Sequence, residues 1–585
     1  NVNNENQFFT QQSGSSTVIG TVYTDSAYVK SDTADYFHFF CRPVTGFSST
    51  DLLVIDNSTK QIISTFGNQI FPISEMRAMI GASDPLKPEL FFGLVGPIGV
   101  DLESVQTSLE AELKKVGYGV IPVRATDVMT SVNLPIKITE NSYYEKYRAL
   151  IEYADDVCKV VGSKAALAAL CVAEIKRRRL EITGNEGTPA DGYAFIIRQF
   201  KRPAEIELMR KTYGRKFVQV SVSAPEQIRR DALILKLKEH NEMTRDHSEC
   251  EKDAIELIKI DHDEAEFDHG QKVSKVFHLG DVFVDAQNKE STELTIRRFV
   301  EAFFGHNGKS PSHDEYGMYL AAAASLRSID LSRQVGASIF SDSGEILALG
   351  CNEVPKPLGG TYWGEDTPKV HRDFDEGKDA NHKKKLELLS DLIQRMGKAG
   401  FLSEKVLAKK AVVEQLRYIM GNDAIKDSKV MDIIEFGRMI HAEMSAITDA
   451  ARIGRSIKEG TMYCTTFPCH MCAKHIVSAG IRRLVYLEPY PKSYAKDLHP
   501  DSITYDNNLI GKKVVFESFI GISPRRYRDI FEKKLRKDGS GKAREWYYAK
   551  PQPMIEDMTS SYLEENEEIA ISILNKLDGF HSPVN

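Results

Sequence analysis

The stretch that decides the fold of the C-terminal half is TTFPCHMCAKHI, residues 465–476. It contains two cysteines, Cys469 and Cys472, which follow a proline and begin a predicted helix. A Cys-x-x-Cys pair occurs in redox-active proteins, in structural zinc sites and in catalytic metal sites. The choice among the three depends on which other residues the fold brings to the same place.

A histidine and a glutamate upstream narrow the choice. His441 lies in the segment HAE, at the predicted start of an earlier helix. One imidazole and two thiolates suit Zn²⁺, a set of three ligands leaves the fourth coordination position open for water, and helix N-termini favour thiolates. Glu443 can reach the open position and carry a proton from water to a ring nitrogen and a leaving amine. The order H-x-E…P-C-x-x-C is the pattern of zinc-dependent nucleobase deaminases.

The residues alone leave two other interpretations open. A redox pair requires a thioredoxin-like strand–helix–strand context and leaves the HAE segment unexplained. A structural zinc site needs a fourth ligand, for which Cys464, His470 and His475 are available. We favour the catalytic site, with the two histidines as ordinary polar residues and Cys464 as a small buried apolar residue.

Residues 310–490 resemble the deoxycytidylate deaminase branch of the cytidine deaminase superfamily. The segments that carry the resemblance are SRQVGASIF, GEILALGCNEVP, HAEMSAI and TMYCTTFPCHMCAKHIVSAGIRRLVYLEPY. The resemblance implies a three-layer α/β domain with one catalytic Zn²⁺ per chain, held by His441, Cys469 and Cys472, with Glu443 as the acid–base residue. It also implies a small deoxycytidine nucleotide as substrate and a homo-oligomeric assembly.

The same resemblance implies substrate contacts. Asn352, after the second strand of a predicted hairpin, would bind the deoxyribose, although Asn is also a common turn residue. Arg333 would lie beside the substrate phosphate. Gln334 and Thr466 lie in the same motifs and complete this predicted substrate-binding set.

Three basic residues follow the deaminase-like motifs. Lys492, Arg525 and Arg526 are predicted in loops or at loop-to-helix junctions, where they can meet a triphosphate. A solvated basic turn explains each of them equally well.

A glycine-rich segment, GLVGPIGVDLES, follows a predicted strand and precedes a predicted helix, which is the context of a phosphate-binding loop. Leu94, Val100 and Asp101 stand where the Walker pattern has Gly, Lys and Ser or Thr. Backbone amides at Gly96, Gly99, Val100 and Asp101 can still bind an anion. We therefore predict a nucleotide-sensing or degenerate kinase-like domain, with a structural remnant or an active kinase as alternatives.

These patterns divide the chain. Residues 1–85 have no assigned role, 86–305 form a P-loop nucleotide-kinase-like parallel-sheet domain, 306–550 form the deaminase domain with a helical insertion at 360–430, and 551–585 form a C-terminal tail or helix. The segment IIRQFKRPAEIELMRKTYGRKFVQVSV also resembles nucleotide kinases of the P-loop class.

A kinase-like domain fused to such a deaminase resembles bacterial anti-phage dCTP/dCMP deaminases. That resemblance implies that the enzyme depletes dCTP during infection and is restrained until then. It also suggests that the N-terminal domain is regulatory and binds an allosteric dNTP, such as dTTP.

Composition limits the partners. A formal net charge of −7 and no evident basic stripe argue against a long nucleic acid as substrate. No run of about eighteen apolar residues predicts a membrane span, and 8 cysteines in 585 residues favour a cytoplasmic location over a disulfide scaffold. The alternative functions are a polynucleotide (single-stranded DNA or RNA) cytosine deaminase and a catalytically inactive nucleotide-sensing module.

Overall fold

The computed structural model describes residues 87–577 and the backbone of seven strands between residues 7 and 72. Within 87–577 the description omits 133, 135–137, 139–141, 241–245, 263–272, 367–370, 423–424, 426–427, 491, 534–535, 538, 545, 547–550, 556–560 and 564. The chain forms two compact units, Asn1–Leu86 and Lys87–Asn585. No helix among the described residues has the length and apolar character needed to cross a bilayer.

The first unit contains two antiparallel sheets. Its strands are β1 (Gln7–Ser13), β2 (Ser16–Tyr23), β3 (Ser26–Lys30), β4 (Tyr36–Cys41), β5 (Asp51–Asp56), β6 (Gln61–Ser64) and β7 (Ile70–Pro72). Strands β1–β3 form one sheet and β4–β7 the other, each in chain order.

The second unit begins with a six-stranded, mostly parallel sheet. Its strands are β8 (Leu90–Val95), β9 (Gly119–Arg124), β10 (Tyr193–Arg198), β11 (Phe217–Ser223), β12 (Val282–Asp285) and, from much later in the chain, β19 (Gly521–Ile522). The order is β19-β12-β11-β8-β10-β9, and β19 alone runs antiparallel to its neighbour. Every residue of β8, LFFGLV, is buried, as expected for a strand that helices cover on both faces.

Helices connect these parallel strands, because a parallel connection has to return the chain to the opposite end of the sheet. They are α1 (Leu102–Lys115), α2 (Ala125–Met129), α3 (Tyr143–Val161), α4 (Ala166–Thr183), α5 (Pro203–Tyr213), α6 (Glu226–His240), α7 (His247–His262), α8 (Val273–Phe277) and α9 (Lys289–Phe303).

A second mixed sheet carries the candidate site. Its strands are β13 (Gly336–Phe340), β14 (Ile346–Cys351), β15 (Thr461–Thr466), β16 (Arg483–Glu488), β17 (Ile503–Thr504) and β18 (Val514–Ser518), in the order β14-β13-β15-β16-β18-β17. The predicted hairpin is confirmed, since β13 and β14 pair antiparallel. The pairs β15–β16, β16–β18 and β18–β17 are parallel. The prediction of an α/β protein is therefore confirmed, and the structure shows two sheets in which parallel pairs dominate.

Helices of the second half flank this sheet and form the insertion. They are α10 (His313–Ser325), α11 (Asp373–Glu376), α12 (Ala380–Lys398), α13 (Glu404–Leu407), α14 (Val412–Met420), α15 (Ala442–Arg452), α16 (His470–Ser478), α17 (Ala495–Leu498), α18 (Pro524–Phe531) and α19 (Asn566–Ser572). Helices α11–α14 lie within residues 360–430.

Close packing positions helix α15 against strand β14. A Cβ atom added at Gly350 would lie 2.2 Å from the carbonyl oxygen of Ala442, a distance that no side chain tolerates. Because only glycine permits this approach, the first turn of α15 lies directly on the sheet. That placement fixes the end of the helix from which His441 projects.

Candidate functional site

Two helix starts bring the three predicted metal ligands together. His441 is the N-cap residue of α15, and Cys469 is the N-cap residue of α16. The Cys469 Sγ accepts a 3.5 Å hydrogen bond from the backbone N–H of Cys472, which lies in the first turn of the same helix. The local sequence thus folds so that two thiols and one imidazole converge.

The distances within this group fit a tetrahedral metal site. His441 Nδ1 lies 3.4 Å from Cys469 Sγ and 3.3 Å from Cys472 Sγ, and all three donor atoms lie within 4.8 Å of one another. Zinc bonds of about 2.0 Å to nitrogen and about 2.3 Å to sulfur place tetrahedral N and S ligands roughly 3.5 Å apart. Across the described residues this is the one such group of His, Cys or acidic side chains. The donor set therefore fits Zn²⁺.

Protons are shared unequally within the group. The thiol of Cys472 donates to Cys469 and the imidazole of His441 lies beside it, which lowers the pKa of Cys469 despite burial. The Cys469 thiolate in turn raises the pKa of His441 to about 9 and, with burial, raises that of Cys472. Because a metal binds cysteine as the thiolate, a bound cation would displace the protons that the two sulfur atoms carry.

Glu443 lies next to this group in the first turn of α15. Its side chain is buried, and burial raises the pKa of its carboxyl group above the usual range. A carboxyl group in such a setting holds a proton more readily than one at the surface. This is the property needed to accept a proton and return it in one reaction cycle.

A cavity of about 270 Å³ opens beside Glu443, His441 and Cys469. This is close to the lower end of the size range of small-molecule sites. Its other walls come from the segment before β13, the residue after β14, the end of β15, the insertion and the residues that follow it, and the segment after β16. The residues among them are Asp330, Leu331, Ser332, Arg333, Val335, Asn352, Asp373, Asp379, Asn381, Ile434, Gly437, Met439, Ala442, Thr466, Phe467 and Tyr490.

Three of the four substrate contacts predicted from the motifs line this cavity: Arg333, Asn352 and Thr466. Arg333 pairs with Glu488 at 3.1 Å, and its guanidinium group lies 5.4 Å from the centre of the Tyr490 ring. Gln334 does not line the cavity. Its side-chain amide donates a 2.7 Å hydrogen bond to the carbonyl oxygen of Ser328.

Asn352 has a structural contact that the sequence does not reveal. Its Oδ1 accepts a 2.7 Å hydrogen bond from the backbone N–H of Val335, and its Nδ2 donates a 2.8 Å bond to the carbonyl oxygen of Arg333. The side chain therefore holds the segment that presents Arg333 to the cavity.

Replacing Asn352 by Ala should lower the free energy of unfolding by about 1–3 kcal/mol, since it leaves two backbone groups unpaired. Urea unfolding followed by circular dichroism measures this. The exposed Asn508, replaced by Ala, is the matched control and should change the midpoint little. Equal midpoints for the two variants would show that the Asn352 contacts contribute nothing.

The three basic residues beyond the motifs are not among the residues that line this cavity. Lys492 pairs with Asp432. Arg526 is buried, 3.4 Å from Asp281, and donates a 2.6 Å hydrogen bond to the carbonyl oxygen of Phe217 in β11. Arg525 is the second residue of the same helix, α18, and burial lowers its pKa. Helix α18 therefore faces the first sheet.

Backbone groups of the glycine-rich loop between β8 and α1 make hydrogen bonds to side chains of the same chain. The backbone N–H of Ile98 donates a 2.7 Å hydrogen bond to Asp261, and Lys201 donates a 2.9 Å bond to the carbonyl oxygen of Gly96. Asp101 accepts a 3.0 Å bond from the backbone N–H of Ser104. Gly99 has a φ of 86°, which suits glycine. The chain's own carboxylates thus bind the amides of Ile98 and Ser104.

Sequence reasoning missed the contribution of the insertion. Asp373, Asp379 and Asn381, from α11 and the start of α12, line the cavity. The Asn381 side chain donates to the carbonyl oxygen of Ile433 at 2.8 Å and accepts from the N–H of Phe436 at 3.2 Å. The sequence contained one indication of this contribution, since the insertion ends shortly before the HAE segment.

Comparison with known proteins agrees with this geometry. Residues 311–488 match the family described as the cytidine and deoxycytidylate deaminase zinc-binding region. The C-terminal half of the chain contains a cytidine/dCMP deaminase domain. The matched residues include every candidate zinc ligand and Glu443.

Curated relatives of this deaminase domain carry related names. The deoxycytidylate deaminase of Enterobacteria phage T2 is 56% identical over 54 residues, which are 9% of this chain and 29% of the relative. The chain thus spans less than a third of the length of the first relatives it matches. A probable deoxycytidylate deaminase of Drosophila melanogaster is 25% identical over 236 residues, 39% of this chain and 89% of the relative.

Among solved structures, the dCMP deaminase from the cyanophage S-TIM5 in apo form is 18% identical. The match covers 36% of this chain and 100% of that chain, with a TM-score of 0.19.

Proposed function

We propose that the deaminase domain catalyses hydrolytic removal of the 4-amino group of deoxycytidine nucleotides, converting dCMP and dCTP to dUMP and dUTP with release of ammonia. The observation that carries this proposal is the convergence of His441, Cys469 and Cys472 beside the buried carboxyl group of Glu443. The matches to deoxycytidylate deaminases support the substrate class.

In this proposal His441, Cys469 and Cys472 hold one zinc ion. When bound, zinc supplies a Lewis acid that lowers the pKa of a water molecule towards neutrality. Glu443 takes a proton from the attacking water and delivers it to the N3 nitrogen of the cytosine ring. It then moves the proton of the hydroxyl group added at C4 to the 4-amino group. The C4–N bond breaks, the C4 carbonyl forms and ammonia leaves, so that one water is consumed for each amine released.

The remaining lining residues orient the nucleotide. Arg333 supplies a guanidinium group for a phosphate, and Asn352 holds the segment that carries it. Asp330, Asp373 and Asp379 add three carboxylates to the same walls. Because these carboxylates repel a bare triphosphate, dCTP would enter with its own Mg²⁺, whereas dCMP would need none.

Assays on the purified full chain test this proposal. We expect cytosine-to-uracil conversion with dCMP in the absence of Mg²⁺ and with dCTP only in its presence, with one ammonia per uracil. Conversion of cytosine in single-stranded DNA or RNA, with both mononucleotides untouched, would favour a polynucleotide deaminase instead. If protein that contains zinc converts none of these substrates, a nucleotide-sensing module is the remaining interpretation.

Metal content provides a separate prediction. Wild-type protein should contain about one zinc per chain, and Cys469→Ala should lose most of it, because two protein ligands hold zinc far more weakly than three. Atomic absorption of dialysed protein measures this. Cys351→Ala removes another buried thiol outside the group and should retain the metal. Equal zinc in both variants would contradict the assignment.

The proposal extends to the cell. A cytoplasmic, homo-oligomeric enzyme that depletes dCTP during phage infection, and that a dNTP such as dTTP restrains through residues 86–305, would fit the resemblance given above. Nucleotide pools of infected cells that express the wild type or the Glu443→Gln variant would test this. If the dCTP pool falls equally in cells with the wild type and in cells with the variant, the anti-phage role is rejected.

A further inference from the structure

The strand order of the first sheet reverses at β8. From β8 the chain continues through β9 and β10 on one side, and through β11 and β12 on the other. In open parallel sheets, ligands bind at the carboxyl ends of the strands next to such a reversal. The carboxyl ends of β8 and its neighbour β10 carry the start of helix α1 and Arg198, and the edge strand β9 ends beside β10.

Two arginines lie side by side at this edge. Arg124 is the last residue of β9 and Arg198 the last residue of β10, and the two are direct register partners in the parallel pair. Both line a cavity of about 190 Å³, together with Lys236 of α6 and with Thr126 and Gln199. The cavity thus has three cationic groups from three separate elements.

The positive charge of Arg198 is poorly compensated. Its side chain is 12% exposed, and its nearest ion-pair partner is Glu103, 3.9 Å away and 76% exposed. Burial and the neighbouring charge of Arg124 lower the pKa of Arg198. Within the described part of the chain, no hydrogen bond or ion pair ties the side chain of Arg124 to a protein group. Two adjacent guanidinium groups of this kind need an anion to offset their repulsion.

The carboxylates of Glu103, Asp127 and Asp101 offset part of the charge of Arg198, but none of them makes a hydrogen bond to its guanidinium group in the described part of the chain. Asp101 lines the cavity, but its carboxylate already accepts from the N–H of Ser104. Asp261 pairs with Lys201 at 2.7 Å and accepts from the glycine-rich loop. Glu103, at the first turn of α1, is the remaining carboxylate in the lining, and its exposure lets it turn away.

We propose that Arg124, Arg198 and Lys236 form a binding site for the phosphate of a small phosphate ester. The anion contacts these side chains from β9, β10 and α6 rather than the amides of the glycine-rich loop. This moves the anion site of the first sheet from the loop to the neighbouring strand ends.

A larger groove gives room for the rest of such a molecule. It has a volume of about 780 Å³ and shares Asp101, Glu103 and Lys236 with the phosphate cavity. It continues between α1, α6 and α9, where Lys115, Lys289 and Arg297 join its lining. A ligand with an organic body beyond its phosphate therefore fits better than inorganic phosphate alone.

Calorimetric titration of the full chain with pyrophosphate and with dTTP, at about 0.15 M salt, tests the site. We expect one dTTP per chain, bound more tightly than pyrophosphate, and at least a tenfold loss of affinity for both in the double variant Arg124→Gln/Arg198→Gln. The double variant Arg395→Gln/Arg528→Gln removes the same charge from exposed positions and should bind like the wild type.

Two outcomes would overturn the proposal. In the first, the wild type binds neither probe. In the second, the wild type and both double variants bind the probes with equal affinity. If Arg124→Gln/Arg198→Gln does not fold, the exposed Arg124 replaced alone should still weaken pyrophosphate by several-fold, and an unchanged affinity would reject the site. Binding is read without deaminase activity, so failure of the proposed deamination leaves this result intact.

Discussion

Replacing Glu443 by Gln is expected to lower the rate of dCMP deamination by about 10²–10⁴-fold, the usual contribution of a positioned acid–base group. The amide has nearly the same shape as the carboxyl group but cannot carry a proton between water and the ring. Because Glu443 is not among the three converging metal ligands, the variant should keep the zinc content of the wild type.

Initial rates and metal analysis on the same preparations test this expectation. Glu414→Gln, an exposed position on α14, removes an equal charge and should leave the rate unchanged. A fully active Glu443→Gln variant would remove Glu443 from the chemistry. Joint loss of zinc and activity would instead make Glu443 a residue that supports the metal.

The second large effect concerns stability. Arg179 is fully buried and lies between two buried carboxylates, Glu89 at 2.9 Å and Glu567 at 2.7 Å. Tyr562 donates a 2.7 Å hydrogen bond to Glu89, and Tyr213 donates a 2.9 Å bond to Glu567. This cluster attaches the C-terminal segment to the first sheet. We expect Glu567→Ala to lower the free energy of unfolding by about 3–5 kcal/mol, because it leaves a buried charge without one of its partners.

The neighbouring residue provides a matched control. Glu568 pairs with Lys176 but is 47% exposed, and Lys176 also lies 3.8 Å from Glu186. Glu568→Ala should therefore cost about 1 kcal/mol or less. Urea unfolding of both variants compares the two. Similar midpoints would mean that the buried cluster contributes no more than a surface pair.

The sequence was most informative where function depends on residue type at short spacing. The convergence of His441, Cys469 and Cys472 follows from a local pattern, because a metal site built on two helix starts would need its ligands at fixed positions on each helix. The strand β8 and the hairpin of β13 and β14 follow from apolar runs and a turn. These features depend on neighbours in the chain.

Contacts between distant segments were not predictable. Asp261 bonds to a loop amide 163 residues away, and nothing in its charged helix distinguishes it from solvated acids. Asp373 and Asp379 reach the cavity from an insertion whose composition only indicates helices. Arg526 is predicted as a basic residue at a helix start, which does not reveal that the helix faces β11.

The two-residue strand β19 has a consequence for how this chain can be divided. It follows β18 of the deaminase sheet, yet it pairs with β12 of the first sheet, Val282 opposite Ile522. A cut between residues 305 and 306 would leave β12 as an unprotected edge, open to pairing with another molecule. The two halves therefore cannot be exchanged independently. Recombination that replaced the second half would have to supply a strand that pairs with β12 as β19 does.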